Sequence, residues 1–149
     1  YDGVPTSFAT ARPRAVQAAV GMKQIERIEA LNGARIRNGR ALDQALANVG
    51  GILTPEYAPG AEPIYMSFVI HHARRDALMA ELRKRGVDTT VGYMSDCSDH
   101  ALFPEFRRPQ PNAAAIMREQ LHIPVHPRMD DRDTSHIAEA VRQSVKAVG

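Results

Sequence analysis

The sequence contains few of the residues on which several classes of protein depend. Cys97 is the only cysteine, which excludes an intramolecular disulfide and a secreted disulfide scaffold. Tryptophan is absent and aromatic residues make up 5% of the chain, which disfavours a base-stacking nucleic-acid platform. No window approaches the roughly 20 consecutive apolar residues of a membrane span, and the first residues lack the apolar region of a signal peptide. We therefore expect a cytoplasmic protein.

The net charge and the positions of the lysines disfavour further classes of partner and of chemistry. The formal net charge is +2 and the arginines are scattered, so we expect neither nucleic acid nor membrane as a partner. The three lysines, Lys23, Lys84 and Lys146, fall on predicted polar helix faces beside other charges. A lysine that forms a Schiff base needs a buried amine with a lowered pKa. Any chemistry of this chain is therefore not expected to rest on its lysines.

The most informative stretch is a long helical run from Pro13 to Leu46. Apolar residues recur in it at three- and four-residue steps, from Ala15 through Met22 to Ile25, and proline suits the first helical turn. Asn32-Gly33 interrupts the run, because glycine inside a helix costs on the order of 1 kcal/mol relative to alanine. The pattern predicts a long N-terminal helix with a kink or short break at Asn32-Gly33.

The rest of the chain predicts an α+β domain. With 149 residues, 44% of them hydrophobic, the length suits one ordinary domain. We divide it into a lead-in with the long helical pair (1–49) and an α+β core (50–149) of three short strands covered by helices. The predicted strands are 64–70, 87–93 and 121–125, and the predicted helices are 73–85, 112–120, capped by Asn112, and 131–148.

An aperiodic segment from Met94 to Pro111 is the predicted place for ligand contacts, since long irregular segments in compact domains are often functional. Tyr93 and His100 flank it at the exit of a predicted strand. Arg12, just before the long helix, has the paired donors that bind phosphate. On spacing alone, a surface tyrosine, a loop histidine and a solvated arginine are the favoured interpretation of these three residues.

The remaining histidines and the cysteine do not form a recognisable metal or nucleophile motif. Pro124 lies between His122 and His126, so one helix does not bring both rings to a metal. We expect these histidines and His71-His72 to bind backbone groups at strand ends. Cys97 lies between acidic neighbours, which disfavour a thiolate.

Five ordered segments together resemble the DegT/DnrJ/EryC1/StrS aminotransferases. The resemblance covers nearly all of the chain but only the C-terminal part of that family's chain. The matching residues are Arg12, Gln17 to Gly21 and Gln24 to Ile28; Tyr65, Phe68 to Ile70, Arg75 to Leu78, Leu82 and Gly86 to Thr89; Gly92-Tyr93; His100 with Phe103-Pro104; and Leu121 to Pro127.

The resemblance implies a role for this chain within a larger enzyme. These are fold type I enzymes that use pyridoxal phosphate (PLP) and mostly transfer an amino group from a donor to nucleotide-linked keto sugars. The chain resembles their small domain. The aldimine lysine, the aspartate at the pyridine nitrogen and the phosphate-binding elements belong to the large domain. The resemblance therefore implies a homodimer, a missing large catalytic domain, no PLP bound by this chain alone and no catalysis by it alone.

The resemblance also assigns four candidate site residues. Thr10 and Arg12 correspond to the Asn-x-Arg pair that reaches the cofactor phosphate, although threonine replaces asparagine. Tyr93 and His100 fall on the substrate side, although Gly92-Tyr93-Met94 replaces the common His-Tyr-Pro. We expect no metal site and no catalytic residue in this chain.

Two other functions remain open from the sequence. One is a non-enzymatic interaction or structural module that keeps the small-domain fold, and the other is a small enzyme that uses the loop from Tyr93 to Phe106. The chain begins at Tyr1 without an initiator methionine, so we expect a piece of a longer protein. Such a piece is expected to expose an apolar patch on the long helix and to self-associate.

Overall fold

The computed structural model describes residue 12 and residues 14–92, 96–99 and 104–149. Within these residues the chain forms five α-helices and two β-strands, with single 3-10 turns at Cys97–Asp99 and Pro104–Phe106. In chain order the elements are α1 (Ala15–Ile25), α2 (Ile28–Leu46), β1 (Phe68–His71), α3 (Arg75–Lys84), α4 (Pro111–Glu119), β2 (Gln120–Ile123) and α5 (Asp131–Val148).

A two-stranded antiparallel sheet is the centre of the packing. Phe68 is opposite Ile123 and Ile70 is opposite Leu121, and all four are fully buried on one face. Helices α3 and α5 pack together, α3 contacts β2, and α2 packs along α5. The buried side chains of these elements form one core. The predicted α+β class is confirmed, and the helices pack mainly against the inner face of the sheet.

The predicted third strand is wrong, because the segment 87–92 is reduced to a single bridge. Thr90 and His122 exchange both backbone hydrogen bonds, with N–O distances of 3.2 and 2.8 Å. The next antiparallel pair would join Asp88 to Pro124, which has no N–H to donate. In the other direction Gly92 has a φ of +84°, outside the extended region. Pairing therefore stops on both sides of Thr90.

The first predicted strand begins later than expected, at Phe68 instead of Ile64. Tyr65 has a φ of +56°, which places it in the left-handed region and prevents an extended ladder there. Its ring is buried, stacks on Phe68 with centroids 6.1 Å apart and lies directly against Gly39 of α2. The unfavourable backbone angle of Tyr65 is thus accompanied by close packing of its ring.

The long helical run does divide into two helices, but the predicted position of the break is wrong. The turn lies at Glu26-Arg27, and Asn32-Gly33 continues inside α2. Packing explains why Gly33 is tolerated: α2 buries Ala34, Leu42 and Leu46, which outweighs a local propensity penalty of about 1 kcal/mol. Nothing in the Glu26-Arg27 sequence marks a turn.

The ends of the last two helices show one confirmed and one wrong prediction. Helix α5 has the predicted bounds, and Asp130 caps it by accepting hydrogen bonds from the backbone of Arg132 and Asp133 at 2.8 and 3.0 Å. Asn112 does not cap α4, because that helix already begins at Pro111. Proline is favoured in the first turn, since its missing N–H would have no partner there.

Replacing Asp130 by alanine is expected to lower the free energy of unfolding by about 1 kcal/mol, the typical cost of losing a capping side chain. The adjacent Asp131→Ala is the control, because Asp131 is exposed and acts only through the helix dipole, with an effect of about 0.5 kcal/mol. Urea unfolding of both variants measures the difference. Equal losses would show that the cap is not what Asp130 contributes.

Three arginines bind carbonyl groups near the C-termini of other helices. Arg142 donates to the carbonyl of Ala45 at 3.2 Å, and Arg75 donates to that of Met117 at 2.8 Å. Arg74 donates to the carbonyl of Val148. The last carbonyls of a helix have no intrahelical partner and carry its negative dipole end, so cations are favourable there. These arginines therefore tie α2, α4 and α5 to their neighbours.

Candidate functional site

Of the four residues that the sequence assigned to a site, the structure describes one. Arg12 is exposed and precedes α1. Thr10, Tyr93 and His100 lie outside the described residues, so their positions relative to Arg12 stay predictions. The structure therefore defines this predicted site only through the described residues on either side of Tyr93 and His100.

The lysines do not fit a covalent site for PLP. Lys23 Nζ lies 2.8 Å from Glu26 Oε2 and Lys84 Nζ lies 2.6 Å from Glu81 Oε1, with both lysine side chains at least 70% exposed. Lys146 is also exposed on α5. An aldimine lysine requires burial or a cationic neighbour that lowers its pKa. The three amines of this chain therefore lack the burial that is typical of an aldimine lysine.

Of the four histidines that were predicted to bind backbone groups at strand ends, two do so, His72 and His126. His72 Nδ1 accepts from the Arg74 N–H at 3.0 Å, and His126 Nδ1 accepts from the Arg128 N–H at 3.2 Å. His122 Nδ1 instead lies 2.8 Å from Ser67 Oγ. The expectation for His122 was wrong because β2 directs its ring across the outer sheet face, where a hydroxyl is within reach.

Ser67, His122 and Gly92 form a contact that the sequence analysis missed, and we call it the Ser67–His122–Gly92 set. A Cβ atom at position 92 would lie 2.6 Å from His122 Nε2, so only glycine fits beneath the ring. His122 Nε2 is buried and has no hydrogen-bond partner among the described residues. The one signal in the sequence was Gly92 beside the predicted substrate residue Tyr93.

The surroundings of His122 favour its neutral form. Burial lowers the pKa of this histidine, and the nearby His71 lowers it further. Because the folded-state pKa lies below the unfolded value of about 6.5, the unfolded state binds more protons between the two values. Stability from this group is therefore complete above the unfolded pKa and is lost as pH falls towards the folded pKa.

Lowering the pH from about 7 to about 5 is expected to destabilise the wild-type chain more than His122→Asn. Asparagine keeps a polar atom for Ser67 but does not titrate. Glu81 and Glu139, whose pKa values are lowered by hydrogen bonds to neighbouring polar and basic side chains, titrate below this range in both proteins. Urea unfolding at each pH gives the change in the free energy of unfolding with pH, and His126→Asn is the control. The same change in wild type and in His122→Asn would contradict a buried neutral His122.

One ion pair and local hydrogen bonds join the described parts of the predicted ligand loop to each other. Arg107 Nε pairs with Asp99 Oδ1 at 2.8 Å, and the Arg108 N–H donates to the Ser98 carbonyl at 3.3 Å. Asp96 accepts from the N–H of Ser98 at 2.9 Å. A cavity of about 540 Å³ opens beside these residues and reaches the start of α4. The arrangement fixes both flanks of 100–103, the segment that contains His100.

A larger groove, of about 930 Å³, lies between the 53–67 segment, the outer face of β1 and α4. Its lining is mostly apolar, and Tyr57 contacts Tyr65 edge-on with ring centroids 5.9 Å apart. Burial and the neighbouring Tyr65 raise the pKa of Tyr57 above its ordinary range, so its hydroxyl stays protonated. The sequence analysis did not identify this groove. Its lining is Leu53, Thr54, Pro55, Glu56, Tyr57, Pro63, Tyr65, Met66, Ser67, Val69, His71, Asn112, Ala115, Ile116 and Glu119.

Helix α1 presents an apolar surface to solvent, as the sequence analysis expected of the long helix. No described residue of α1 is buried. We call the exposed side chains the α1 apolar face; they are Val16, Val20, Met22, Ile25 and, at the start of α2, Ile28, with exposed fractions of 76, 57, 65, 68 and 45%. Large apolar side chains exposed together on one helix are typical of an interaction site in a folded protein.

Metal and membrane sites receive no support from the part of the chain that the structure describes. In that part, no three His, Cys, Asp or Glu side chains gather closely enough to bind a metal ion. None of the described helices has the length and apolar character required to cross a bilayer.

Comparison with known proteins links the chain to one protein family. The profile of the DegT/DnrJ/EryC1/StrS aminotransferase family matches residues 10–142. The chain is 27% identical over 146 residues to dTDP-3-amino-3,4,6-trideoxy-alpha-D-glucose transaminase of Streptomyces venezuelae, covering 96% of this chain and 38% of that protein. It is 25% identical over 139 residues to dTDP-4-dehydro-2,6-dideoxy-D-glucose 3-dehydratase of Saccharopolyspora spinosa, covering 87% of this chain and 30% of that protein.

Solved structures show the same relationship. The structure of S. venezuelae DesV with a ketimine intermediate superposes with a TM-score of 0.81 at 27% identity, over 87% of this chain and 36% of that one. Helicobacter pylori PseC superposes with a TM-score of 0.80 at 16% identity, over 91% and 38% of the two chains, which shows the shared fold. The chain thus spans 30 to 38% of the length of these relatives.

Proposed function

Because the chain belongs to the DegT/DnrJ/EryC1/StrS aminotransferase family, we propose that it is the C-terminal small domain of a PLP-dependent aminotransferase that acts on nucleotide-linked keto sugars. The observation that carries this proposal is the α1 apolar face, which no described part of the chain covers. In the proposal a large catalytic domain packs against this face. The names of the relatives support the substrate class.

The proposal divides the chemistry between the two domains. PLP acts as an electron sink in transamination, and the lysine that holds it belongs to the large domain. The small domain closes the substrate side of the site through the segments that contain Tyr93 and His100, and Thr10 and Arg12 contribute contacts to the cofactor phosphate. The long helical pair supports homodimer contacts. The 149-residue chain alone is proposed to be inactive.

The catalytic part of the proposal is tested with the complete gene product. Supplied with PLP, L-glutamate and a dTDP-linked keto sugar, it is expected to form an amino sugar that mass spectrometry identifies, while the 149-residue chain forms none. The dehydratase relative makes loss of water from the sugar the second candidate reaction. A dehydrated product without nitrogen would favour that reaction, and turnover by the short chain would contradict the proposal.

The docking part of the proposal is tested with Ile25→Lys in the 149-residue chain. Ile25 is 68% exposed, so the substitution is expected to change the free energy of unfolding by no more than about 0.5 kcal/mol. It is expected to reduce self-association of the chain, measured by light scattering, because it places a charge in the α1 apolar face. Gln24→Lys, an exposed neighbour with the same added charge, is the control. Equal association of both variants would show that the face is not the contact surface.

A further inference from the structure

We propose that His122 is a positioning residue for the substrate side of the site, acting through Gly92, the residue that precedes Tyr93 in the chain. The inference rests on the proposed function, in which Tyr93 contacts the substrate. It starts from the Ser67–His122–Gly92 set, which links β1, β2 and the last described residue before Tyr93.

The backbone and side chain of His122 both hold the segment before Tyr93. The backbone exchanges two hydrogen bonds with Thr90, and the ring lies against Gly92 two residues further on. A Cβ at position 92 would be 2.6 Å from Nε2 and 3.2 Å from both Cδ2 and Cε1. The ring edge therefore determines how closely residue 92 approaches β2, and Gly92 is the residue that allows this approach.

Ser67 fixes the ring in this position from the other side. Its Oγ lies 2.8 Å from Nδ1, and Ser67 immediately precedes the buried strand β1. If the hydroxyl donates to Nδ1, Nε2 carries the proton, and if Nδ1 donates, Nε2 is an acceptor. Either tautomer leaves Nε2 with one hydrogen bond to make, beside the residue that leads into Tyr93. A buried nitrogen without a partner is costly, and Nε2 has no partner among the described residues.

The kinetic experiment uses the complete gene product with His122→Ala. The expected result is a rise of about tenfold in KM for the nucleotide-linked keto sugar, since small displacements of contact residues have effects of this size. The half-reaction with L-glutamate is expected to change by less than about twofold. His126→Ala is the matched control, because its ring is exposed and binds only the Arg128 N–H among the described residues. An unchanged KM, or equal loss in both half-reactions, would overturn the inference.

A double-mutant cycle tests the geometry without activity. Gly92→Ala in the 149-residue chain is expected to increase the unfolding equilibrium constant by about tenfold or more, and by clearly less when His122 is also alanine, since contacting residues are not additive. A remaining effect reflects the left-handed φ of residue 92. Additive effects would overturn the inference. If the complete gene product lacks aminotransferase activity while the cycle shows coupling, the proposed function fails and the geometric part of the inference stands.

Discussion

Replacing Phe68 by alanine is expected to lower the free energy of unfolding by about 4 kcal/mol, the largest effect of any single side chain considered. Phe68 is fully buried at the start of β1, opposite Ile123 and stacked on Tyr65. Its removal leaves a cavity between the sheet and the helices, and close-packed interiors relax into such cavities only in part. The measurement is urea unfolding followed by circular dichroism.

Val69→Ala is the matched control for Phe68→Ala. Val69 is the next residue of the same strand, but its side chain is on the outer face and lines the groove beside α4. Its replacement is expected to cost about 1 kcal/mol, because a smaller and partly exposed group is lost. Equal losses in the two variants would mean that the core does not lie on the inner face of the sheet.

Gly39→Ala is expected to destabilise the chain by about 2 kcal/mol or more, although alanine is the better helix former. A Cβ at position 39 would lie 2.6 Å from Tyr65 Cδ1 and closer still to Cγ. The Tyr65 ring is held between Gly39, Tyr57 and Phe68, and its backbone has little freedom to move at a φ of +56°. The collision therefore outweighs the gain in helix propensity.

Gly33→Ala, on the same helix, has the opposite expected sign. Nothing lies within 4 Å of a Cβ at position 33, so the substitution is expected to stabilise the chain by about 0.5 to 1 kcal/mol. Thermal unfolding of both variants gives a direct comparison in which helix propensity is the same. Stabilisation by both substitutions would contradict the packing of Tyr65 on α2.

The parts of the fold that follow from local pattern could be predicted from the sequence. Helix α5 was found with its bounds, because its apolar period is long and Asp130 marks its start. The Thr90 segment could not be assigned correctly. Its β-branched residues favour a strand, but pairing depends on Pro124, which follows β2, and on the backbone angle of Gly92. Both features affect strand pairing only when segments that are far apart in the sequence come together in the fold.

The same distinction applies to the candidate site. Resemblance placed Thr10, Arg12, Tyr93 and His100 in it, and of these the structure describes Arg12. Periodicity gave no sign that His122 would meet Ser67, because that contact arises from the register between β1 and β2. The groove beside α4 was missed for a similar reason, since its walls come from three separate segments. Side-chain partners across a sheet require the register, which a single sequence does not contain.

Another domain is proposed to complete the catalytic site, and the position of the cofactor lysine tests this proposal most directly. The complete gene product is loaded with PLP, reduced with borohydride and digested, and the labelled peptide is identified by mass spectrometry. We predict a pyridoxyl-lysine outside these 149 residues. A label on Lys23, Lys84 or Lys146 would contradict the account.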